Sequence, residues 1–528
     1  MDREDSLLSE RLLKSIFSFS SMSLISRVAG LVRDIVFARI FGAGLATDAF
    51  FVAFKIPNFM RRLFAEGAFS QGFIPVLSEY KVQKEHAEVS TLVSRVMGTL
   101  GLVLLLLTGL GLLLLPPIFD WAGNEWFTGQ EQQKWFLAGD LIRWTFPYIL
   151  FISLTALVSG VLNTYQIFAL PAFAPVLLNI ILIGATLGFA HQFEQPVTAI
   201  AIGVFVAGVV QLVFLLPALY RLRLLAIPVW GWAHEGVNRI VKLMVPAIFG
   251  ASVVQINLMI DTAIAFLLVS GSVSWLYYSD RLVEFPLGIF GIALSTVLLP
   301  GLSKRFASNA PEDFSRLMDW GMRLALLIGI PSAVGLFVLS APLIATLFGY
   351  DAFTLHSVQM SSLSLMAYAI GLPAFIFVKV LAPGFFARQD TKSPVRAAVA
   401  AMVANVSLNI IFVVSLLAIE FDGVHTGLAL ATSLGAYVNS GLLLYWLLKT
   451  GVYQPLMGWP KYYLQVVTAS TVMAVVLWLY SGDAQLWYAM AFMQRLLWLM
   501  LWVFAGVGIF AIVLWLLGVR PRQLIRPT

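Results

Sequence analysis

The sequence predicts an all-α polytopic membrane protein of about fourteen transmembrane helices, with two parallel six-helix lobes around a central cavity plus two extra C-terminal helices. Three observations predict it. Of 528 residues, 60% are apolar and only 11% are Asp, Glu, Lys or Arg, whereas soluble proteins run at about 45–50% and about 25%. The apolar runs are about 18 to 30 residues long, enough for a membrane helix, and lack the short alternation of barrel strands. Short matches also recur at an offset of about 225–230 residues, marking an internal repeat. A soluble chain of this length would hold several domains, and so few charges cannot cover several water-facing cores. The apolar content equally excludes disorder. With no cysteine, disulfides, thiolate metal sites and a cysteine nucleophile are excluded.

Turn signals and charge clusters place the span centres near Ile25, Phe54, Leu105, Ile149, Leu182, Ala207, Val254, Gly288, Gly329, Phe375, Val406, Leu434, Val475 and Phe504. The first apolar stretch contains Arg27 and Arg33 and has no small-residue cleavage site, so it is expected to be a span and not a cleaved signal peptide. Connections after even-numbered spans carry the basic residues: Lys81, Lys84 and Arg95; Arg221, Arg223, Arg239 and Lys242; Lys304, Arg305, Arg316 and Arg323; Arg388, Lys392 and Arg396; Lys449 and Lys461. The tail adds Arg520, Arg522 and Arg526, while the odd-numbered connections offer little beyond Lys134, Arg143 and Arg495. Cationic loops stay cytoplasmic, so both termini are expected on the cytoplasmic side of the membrane.

The repeat fixes the lobes. Phe73-Ile-Pro-Val-Leu-Ser78 matches Leu298-Leu-Pro-Gly-Leu-Ser303, and Leu178-Asn-Ile-Ile181 recurs as Leu408-Asn-Ile-Ile411. Thr198-Ala-Ile-Ala201 resembles Thr426-Gly-Leu-Ala429, with Gln211 opposite Asn439. A repeat of six spans, an even number, keeps both copies in one orientation, a plan used by transporters. The expected domains are an N-lobe over 1–232 (helices 1–6), a C-lobe over 233–450 (helices 7–12), helices 13–14 over 451–518 and a cytoplasmic basic tail over 519–528.

The ionisable residues inside spans are the most informative, because each costs about 2.5–3.5 kcal/mol at the bilayer centre and faces a cavity or a partner. The first span holds Arg27, Arg33, Asp34 and Arg39; the second holds Asp48, Lys55, Arg61, Arg62 and Glu66. The eighth holds Asp280, Arg281 and Glu284, and the tenth holds Lys379. Asp48, Lys55 and Arg62 form a stripe at seven-residue spacing, bent by Pro57. Arg39, Arg62, Glu66 and Asp34 suit helix-end snorkelling or buried ion pairs that fix packing. Arg27, Arg33, Arg61 and Arg281 better suit a cationic cavity, whose guanidinium forks take phosphate or carboxylate.

A second constellation is rich in oxygen. Asp261 lies in span seven, Asn405 and Asn409 one turn apart in span eleven, and Thr432 in span twelve. Three uses stay open: a site for a hard cation such as Na⁺, a proton carrier at Asp261, or hydrogen bonds that bridge helices. The five histidines are scattered without metal spacing, and no phosphate-cradling P-loop occurs, so the chain is not itself an ATPase. Trp478, Trp487, Trp498 and Trp502 read as an interfacial belt.

These residues resemble the MurJ (MviN) lipid II flippases of the multidrug/oligosaccharidyl-lipid/polysaccharide exporter superfamily. Ser26-Arg-Val-Ala-Gly-Leu-Val-Arg-Asp34, Ala38-Arg-Ile-Phe-Gly-Ala-Gly44, Thr47-Asp-Ala-Phe-Phe51, Lys55-Ile-Pro-Asn58 and Arg61-Arg-Leu-Phe-Ala-Glu-Gly-Ala-Phe-Ser70 carry the likeness. So do Ser272-Val-Ser-Trp-Leu-Tyr-Tyr-Ser-Asp-Arg281 and Ala382-Pro-Gly-Phe-Phe-Ala-Arg-Gln-Asp390. The resemblance spans nearly the whole chain and weakens in the last two spans. It implies a transporter, not an enzyme, that flips the undecaprenyl-pyrophosphate-linked peptidoglycan precursor outward by alternating access. It implies that Arg27, Arg33, Arg61 and Arg281 contact the pyrophosphate, and that Asp34, Asp48, Lys55, Asn58, Arg62, Glu66, Asp280 and Glu284 support or gate. Helices 13–14 would hold the lipid tail. Some members bind sodium at the places of Asp261, Asn405, Asn409 and Thr432, with Asp where this chain has Asn409.

The implied partners are lipid II, membrane lipids and candidate cell-wall synthesis or division proteins, with no nucleic acid. No cofactor is expected, and Na⁺ or H⁺ is the candidate coupling ion beside the membrane potential. Two alternatives remain at this stage. A multidrug/cation antiporter of the same superfamily calls for an anionic cavity, and a membrane glycosyltransferase acting on the same lipid calls for a carboxylate base on a substantial outer loop. The only such loop, around Asp120, Glu125 and Glu131, is short.

Overall fold

Each expected span centre lies in a helix, Gly288 in a short π-helical stretch, Leu287–Gly291. The structure is a computed structural model that describes residues 25–62, 69–225 and 227–520. Glu66, Arg522 and Arg526 lie outside the described residues. Among the described residues there is no strand. In chain order the helices are α1 (25–41), α2 (Leu45–Arg61), α3 (Phe69–Gln83), α4 (His86–Trp126), α5 (Gly129–Thr145), α6 (Tyr148–Thr164), α7 (Ala169–Phe189), α8 (Val197–Arg221) and α9 (Glu235–Leu267). There follow α10 (Ser272–Pro286), α11 (Ile292–Ala307), α12 (Pro311–Val338), α13 (Ser340–Leu347), α14 (Leu355–Phe386), α15 (Lys392–Ala418), α16 (Thr426–Lys449), α17 (Trp459–Tyr480), α18 (Ala484–Ala489) and α19 (Phe492–Leu516).

Among the described residues, 11 helices or continuous helix pairs are long and apolar enough to cross a membrane. The expected first, second and seventh spans are not among them: α1 and α2 have 17 described residues each, and the apolar stretch Gln255–Leu267 of α9 is shorter still. The chain forms two units, with the boundary between Met259 and Ile260, inside α9.

In the first unit, α3, α4, α6, α8 and the start of α9 share one core, built on Phe73, Leu77, Leu92, Val96, Leu157, Val161, Leu215, Leu219 and Ile240. The segment after α8 is strapped onto α4: the Val229 amide donates to the Ser94 carbonyl at 3.3 Å, and the Gly231 amide donates to Thr99 Oγ1 at 3.0 Å. Gly98 permits this approach, because a Cβ there would stand 2.3 Å from the Val229 carbonyl oxygen.

In the second unit α14 is central and packs against α10, α11, α12 and α16. A Cβ on Gly371 would fall 2.5 Å from Ser433 Oγ, so α14 and α16 touch closely at that glycine. Helices α17 and α19 pack against each other and against α12, through Tyr462, Val466, Ala469 and Leu514.

The repeat is visible in the backbone. Left-handed residues close the first turn of each copy at Gly42 and Gly271, the fourth span at Gln166 and Gln389, and the sixth at Arg223 and Gly451. At the two glutamines the closure is the same: Gln166 and Ile167 donate to Asn163 and Leu162, and Gln389 and Asp390 donate to Phe386 and Phe385. The same chain reversal recurs at positions separated by the repeat length.

Three residues differ from their sequence-based placement. Arg495 and Lys134, expected in loops, are buried; Lys134 reaches Glu131 at 2.5 Å. Trp487, expected at the lipid interface, is only 1% exposed, and its indole N–H donates to the Ser481 carbonyl.

Candidate functional sites

Arg33, Asp34 and Asn179 form a buried polar node among the apolar helices of the first unit. Arg33 and Asp34 on α1 are 5% and 1% exposed, and Asn179 on α7 is 5% exposed. Asp34 Oδ1 accepts from Arg33 Nε at 3.0 Å and Nη2 at 2.7 Å. The third bond runs from Arg33 Nη1 to Asn179 Oδ1 at 3.1 Å, and the guanidinium lies 5.7 Å from the Phe37 ring centre. Neighbours in sequence supply the ion pair, so it forms with no loop to close, and the paired carboxylate offsets the desolvation of a buried guanidinium. Asn179 was singled out in the sequence only as part of the repeat; its contact with Arg33 was not legible there.

Around that node the other expected residues are spread along α1 and α2. Arg27 and Arg39 are exposed. Asp48 is fully buried at the start of α2, Lys55 is half-buried, and the half-buried Arg61 donates from Nε to Asn58 Oδ1 at 2.9 Å. Arg62 is half-buried at the end of the helix. Asn58 and Arg61 are one turn apart, which is why the amide meets the guanidinium. The helical stripe expected for Asp48, Lys55 and Arg62 therefore runs from a buried carboxylate to half-buried cations.

In the second unit, Arg281 on α10 is partly exposed. It donates from Nη1 to Glu284 Oε2 at 2.9 Å and from Nη2 to the Tyr277 hydroxyl at 3.0 Å, with its guanidinium 5.1 Å from the Tyr277 ring centre. Asp280 is exposed. The i, i+4 spacing of Tyr277 and Arg281 is the sequence signal for this contact.

The oxygen-rich residues do come together, from α9, α15 and α16. Asn409 Nδ2 donates to Asp261 Oδ1 at 2.6 Å and is 3.0 Å from Asn405 Oδ1. Asn405 Nδ2 donates to Thr432 Oγ1 at 3.2 Å, and Thr432 Oγ1 lies 3.3 Å from Asp261 Oδ2. Asn409 Oδ1 is buried with no hydrogen-bond partner. Turning that amide over would aim its oxygen at the Asp261 carboxylate, an arrangement that calls for a cation between them. One carboxylate, two amide oxygens and a hydroxyl are the donor set of a small hard cation, so these residues fit one.

Among the groups outside the membrane-spanning segments, His425 and Asp390 have shifted acidities. Burial pushes His425 down to about 4, against the opposing contact with the Met360 carbonyl, so the imidazole is neutral beside Trp275. Burial alone would raise Asp390, but the Ser393 hydroxyl and the amides of Ser393 and Lys392 outweigh it and hold the carboxyl below its ordinary value.

A family model described as "Lipid II flippase MurJ" matches residues 37–498. A probable lipid II flippase MurJ of Vibrio cholerae is 44% identical, over 98% of each chain. A lipid II flippase MurJ of Burkholderia cenocepacia is also 44% identical, over 88% of this chain and 89% of its own. Among solved structures, a lipid II flippase MurJ in an inward closed conformation aligns with a TM-score of 0.77 at 28% identity, covering 96% of this chain and 99% of that one. An inward-facing multidrug resistance transporter of the MATE family aligns at 0.66 and 14% identity, over 88% of this chain and 99% of its own, which is a likeness of fold.

Proposed function

We infer the activity from a premise those findings supply: the chain belongs to the lipid II flippase MurJ family. It is a multi-pass transporter of the bacterial inner membrane, not an enzyme, and its cargo is lipid II. The physical problem is to carry a diphosphate and its sugars past a hydrocarbon core, where an unpaired anion is prohibitively costly. Cations fixed inside the membrane-crossing protein lower that cost. The observation that carries this function is the Arg33 guanidinium, 5% exposed in α1 and oriented by Asp34 and Asn179.

In this proposal Arg27, Arg33 and Arg61 contact the diphosphate, and Arg281 is a further contact steadied by Tyr277 and Glu284. Asp34, Asp48, Lys55, Asn58, Arg62, Glu66, Asp280 and Glu284 support or gate. The cycle is alternating access, with both termini cytoplasmic and the last two spans next to the isoprenoid tail. Asp261, Asn405, Asn409 and Thr432 would hold a small cation such as Na⁺, whose gradient can supply energy; the membrane potential supplies about 2.3 kcal/mol per charge per 100 mV. The net cationic set speaks against a drug/cation antiporter.

The test is translocation of labelled lipid II in proteoliposomes. Arg33→Ala and Arg281→Ala are expected to abolish flipping while the protein still folds and inserts. Full activity in either variant removes that residue from the diphosphate site, and polymerised product in place of translocation removes the flippase function.

A further inference from the structure

The connection from α8 to α9 lies along α4 as an extended strap. Besides the bonds from the Val229 and Gly231 amides, the Ser94 hydroxyl donates to the Ile227 carbonyl, and Arg95 Nη1 donates to the Trp230 carbonyl at 3.1 Å. Two glycines permit the approach: Gly98 under Val229, and Gly231, where a Cβ would stand 2.5 Å from Arg95 Cβ. With its backbone bonded to α4, the strap turns large side chains outward. Ile227, Trp230 and Trp232 are 83%, 51% and 48% exposed, and the two indoles stack with ring centres 6.0 Å apart. Alternate residues of an extended segment share a face, which is why Trp230 and Trp232 meet.

Arg95 packs on Gly231, the residue between the two tryptophans. It is half-buried, and the Trp230 carbonyl takes one of its N–H donors. Among the described residues no carboxylate pairs with Arg95, nor with Arg221 and Arg223 at the turn where the strap begins. Glu79 is engaged by Arg239 at 2.8 Å and Glu88 by Lys84 at 3.4 Å, while Glu235 adds its charge beside Arg239. Neither indole N–H has a partner among the described residues.

A guanidinium held by a backbone carbonyl, with donors to spare and no carboxylate beside it, takes phosphate oxygens. Tryptophan sits where headgroups meet hydrocarbon, its ring apolar and its N–H able to donate. Free phosphate has nothing to offer the indole faces or Ile227, whereas a phospholipid engages both halves of the surface. A zwitterionic headgroup brings an ammonium that these arginines repel, so the net charge favours an anionic lipid. We propose that Arg95 and the Trp230–Trp232 pair form a binding site for the phosphodiester of an anionic phospholipid, in the leaflet that the α8–α9 connection faces. The site requires only that the chain spans a membrane, and it is independent of the cargo assignment.

The experiment uses the full chain in liposomes and reads quenching of tryptophan fluorescence by bromine-labelled phosphatidylglycerol or phosphatidylethanolamine. The signal of this site is the part lost when Trp230 and Trp232 are both replaced by Phe. Phosphatidylglycerol is expected to quench that part at about fivefold lower mole fraction than phosphatidylethanolamine, the scale of one cation at a membrane surface. In Arg95→Gln the preference is expected to fall below about twofold, with amide exchange at Val229 and Gly231 unchanged. Should that variant not fold, Arg95→Met, which keeps an unbranched stem against Gly231, carries the same expectation. Equal quenching by both lipids in the unaltered chain overturns the proposal, as does a preference that survives without Arg95. A preference lost together with the exchange protection of Val229 and Gly231 makes Arg95 a packing residue and also overturns it. So does displacement of phosphatidylglycerol from the unaltered chain by undecaprenyl diphosphate at lower mole fraction, which would assign the surface to the cargo.

Discussion

The Tyr453 hydroxyl donates to Asp319 Oδ1 at 2.8 Å, joining the segment between α16 and α17 to the buried face of α12. The same oxygen accepts from the Trp459 indole at 2.6 Å and the Leu456 amide at 3.1 Å, while Oδ2 accepts from Arg323 Nε at 2.7 Å. Arg323 in turn lies 5.3 Å from the Trp459 ring centre and 5.4 Å from that of Tyr462, and donates to the Met457 carbonyl. One carboxylate, 1% exposed, therefore fixes where α17 begins.

Removing it leaves a half-buried guanidinium, a hydroxyl, an indole and an amide without this acceptor. Asp319→Ala is expected to cost about 3 kcal/mol, the range for breaking a buried pair. A thermal melt in detergent measures the loss, and limited proteolysis should open the segment 450–458 first. Tyr453→Phe, which removes a single donor, should cost about 1 kcal/mol. An unchanged melting temperature in Asp319→Ala would show that α17 is held by its apolar contacts alone.

Arg495 plays the corresponding part at the start of α19. Its guanidinium donates to the carbonyls of Ala345, Gly349, Met490 and Tyr488 and lies between Tyr350 and Tyr488. Two of those carbonyls belong to the end of α13 and the turn after it, where a cation also meets the negative end of the helix dipole. Arg495→Lys is expected to recover little of what Arg495→Ala loses, about 3 kcal/mol, because a single ammonium cannot span four carbonyls in a plane. Melting temperatures of the two variants that differ by more than about half of the alanine loss would contradict this.

How far the sequence reaches differs between these sites. Helix positions follow from apolar runs, and the repeat follows from short matches that the backbone repeats at Gly42 and Gly271 and at Gln166 and Gln389. Asp261, Asn405, Asn409 and Thr432 are legible because polar oxygens are scarce in spans and the family likeness places them together. Arg323 and Arg495 were not, since a cation near a helix end looks the same in sequence whether it faces headgroups or is enclosed by a neighbouring loop. Asp319 and Arg323 are one turn apart, so their pairing was available, but the aromatic groups that complete the site arrive from residues about 135 positions later. For Asn179 the repeat marks the position in sequence, and only packing shows that Arg33 is its partner.

Asp390 gives a pH dependence with a definite sign. It caps the first turn of α15 through the Lys392 and Ser393 amides, at 3.1 and 3.0 Å. Its folded acidity is held below the ordinary value, so the folded state binds the proton less readily than the unfolded one. Its contribution is then fully present above the unfolded value near 4 and is lost as the pH falls through the lower folded value. Amide exchange at Lys392 and Ser393 should be steadily protected from pH 7 to 5 and weaken below about 4. Asp390→Ala should lower that protection by about 1 kcal/mol at neutral pH and flatten the profile.

Asn409 gives the test of the cation assignment. Its Nδ2 lies 2.6 Å from Asp261 Oδ1, so an N–H donor points where a cation ligand would have to be an oxygen, while its own Oδ1 is buried and without a hydrogen-bond partner. Binding Na⁺ would require the amide to turn over, losing the bond to Asp261 and the contact with Asn405 Oδ1. Asn409→Asp removes that competition and supplies a second carboxylate, which should tighten Na⁺ binding about tenfold or more by direct charge attraction. Because a ligand that binds only the folded state raises its stability, the readout is the shift in melting temperature between NaCl and N-methylglucamine chloride at equal ionic strength. The shift should grow in Asn409→Asp and vanish in Asp261→Asn. A shift that is the same in all three proteins would mean that Na⁺ acts elsewhere, and that Asp261, Asn405, Asn409 and Thr432 serve as a hydrogen-bonded bridge between α9, α15 and α16.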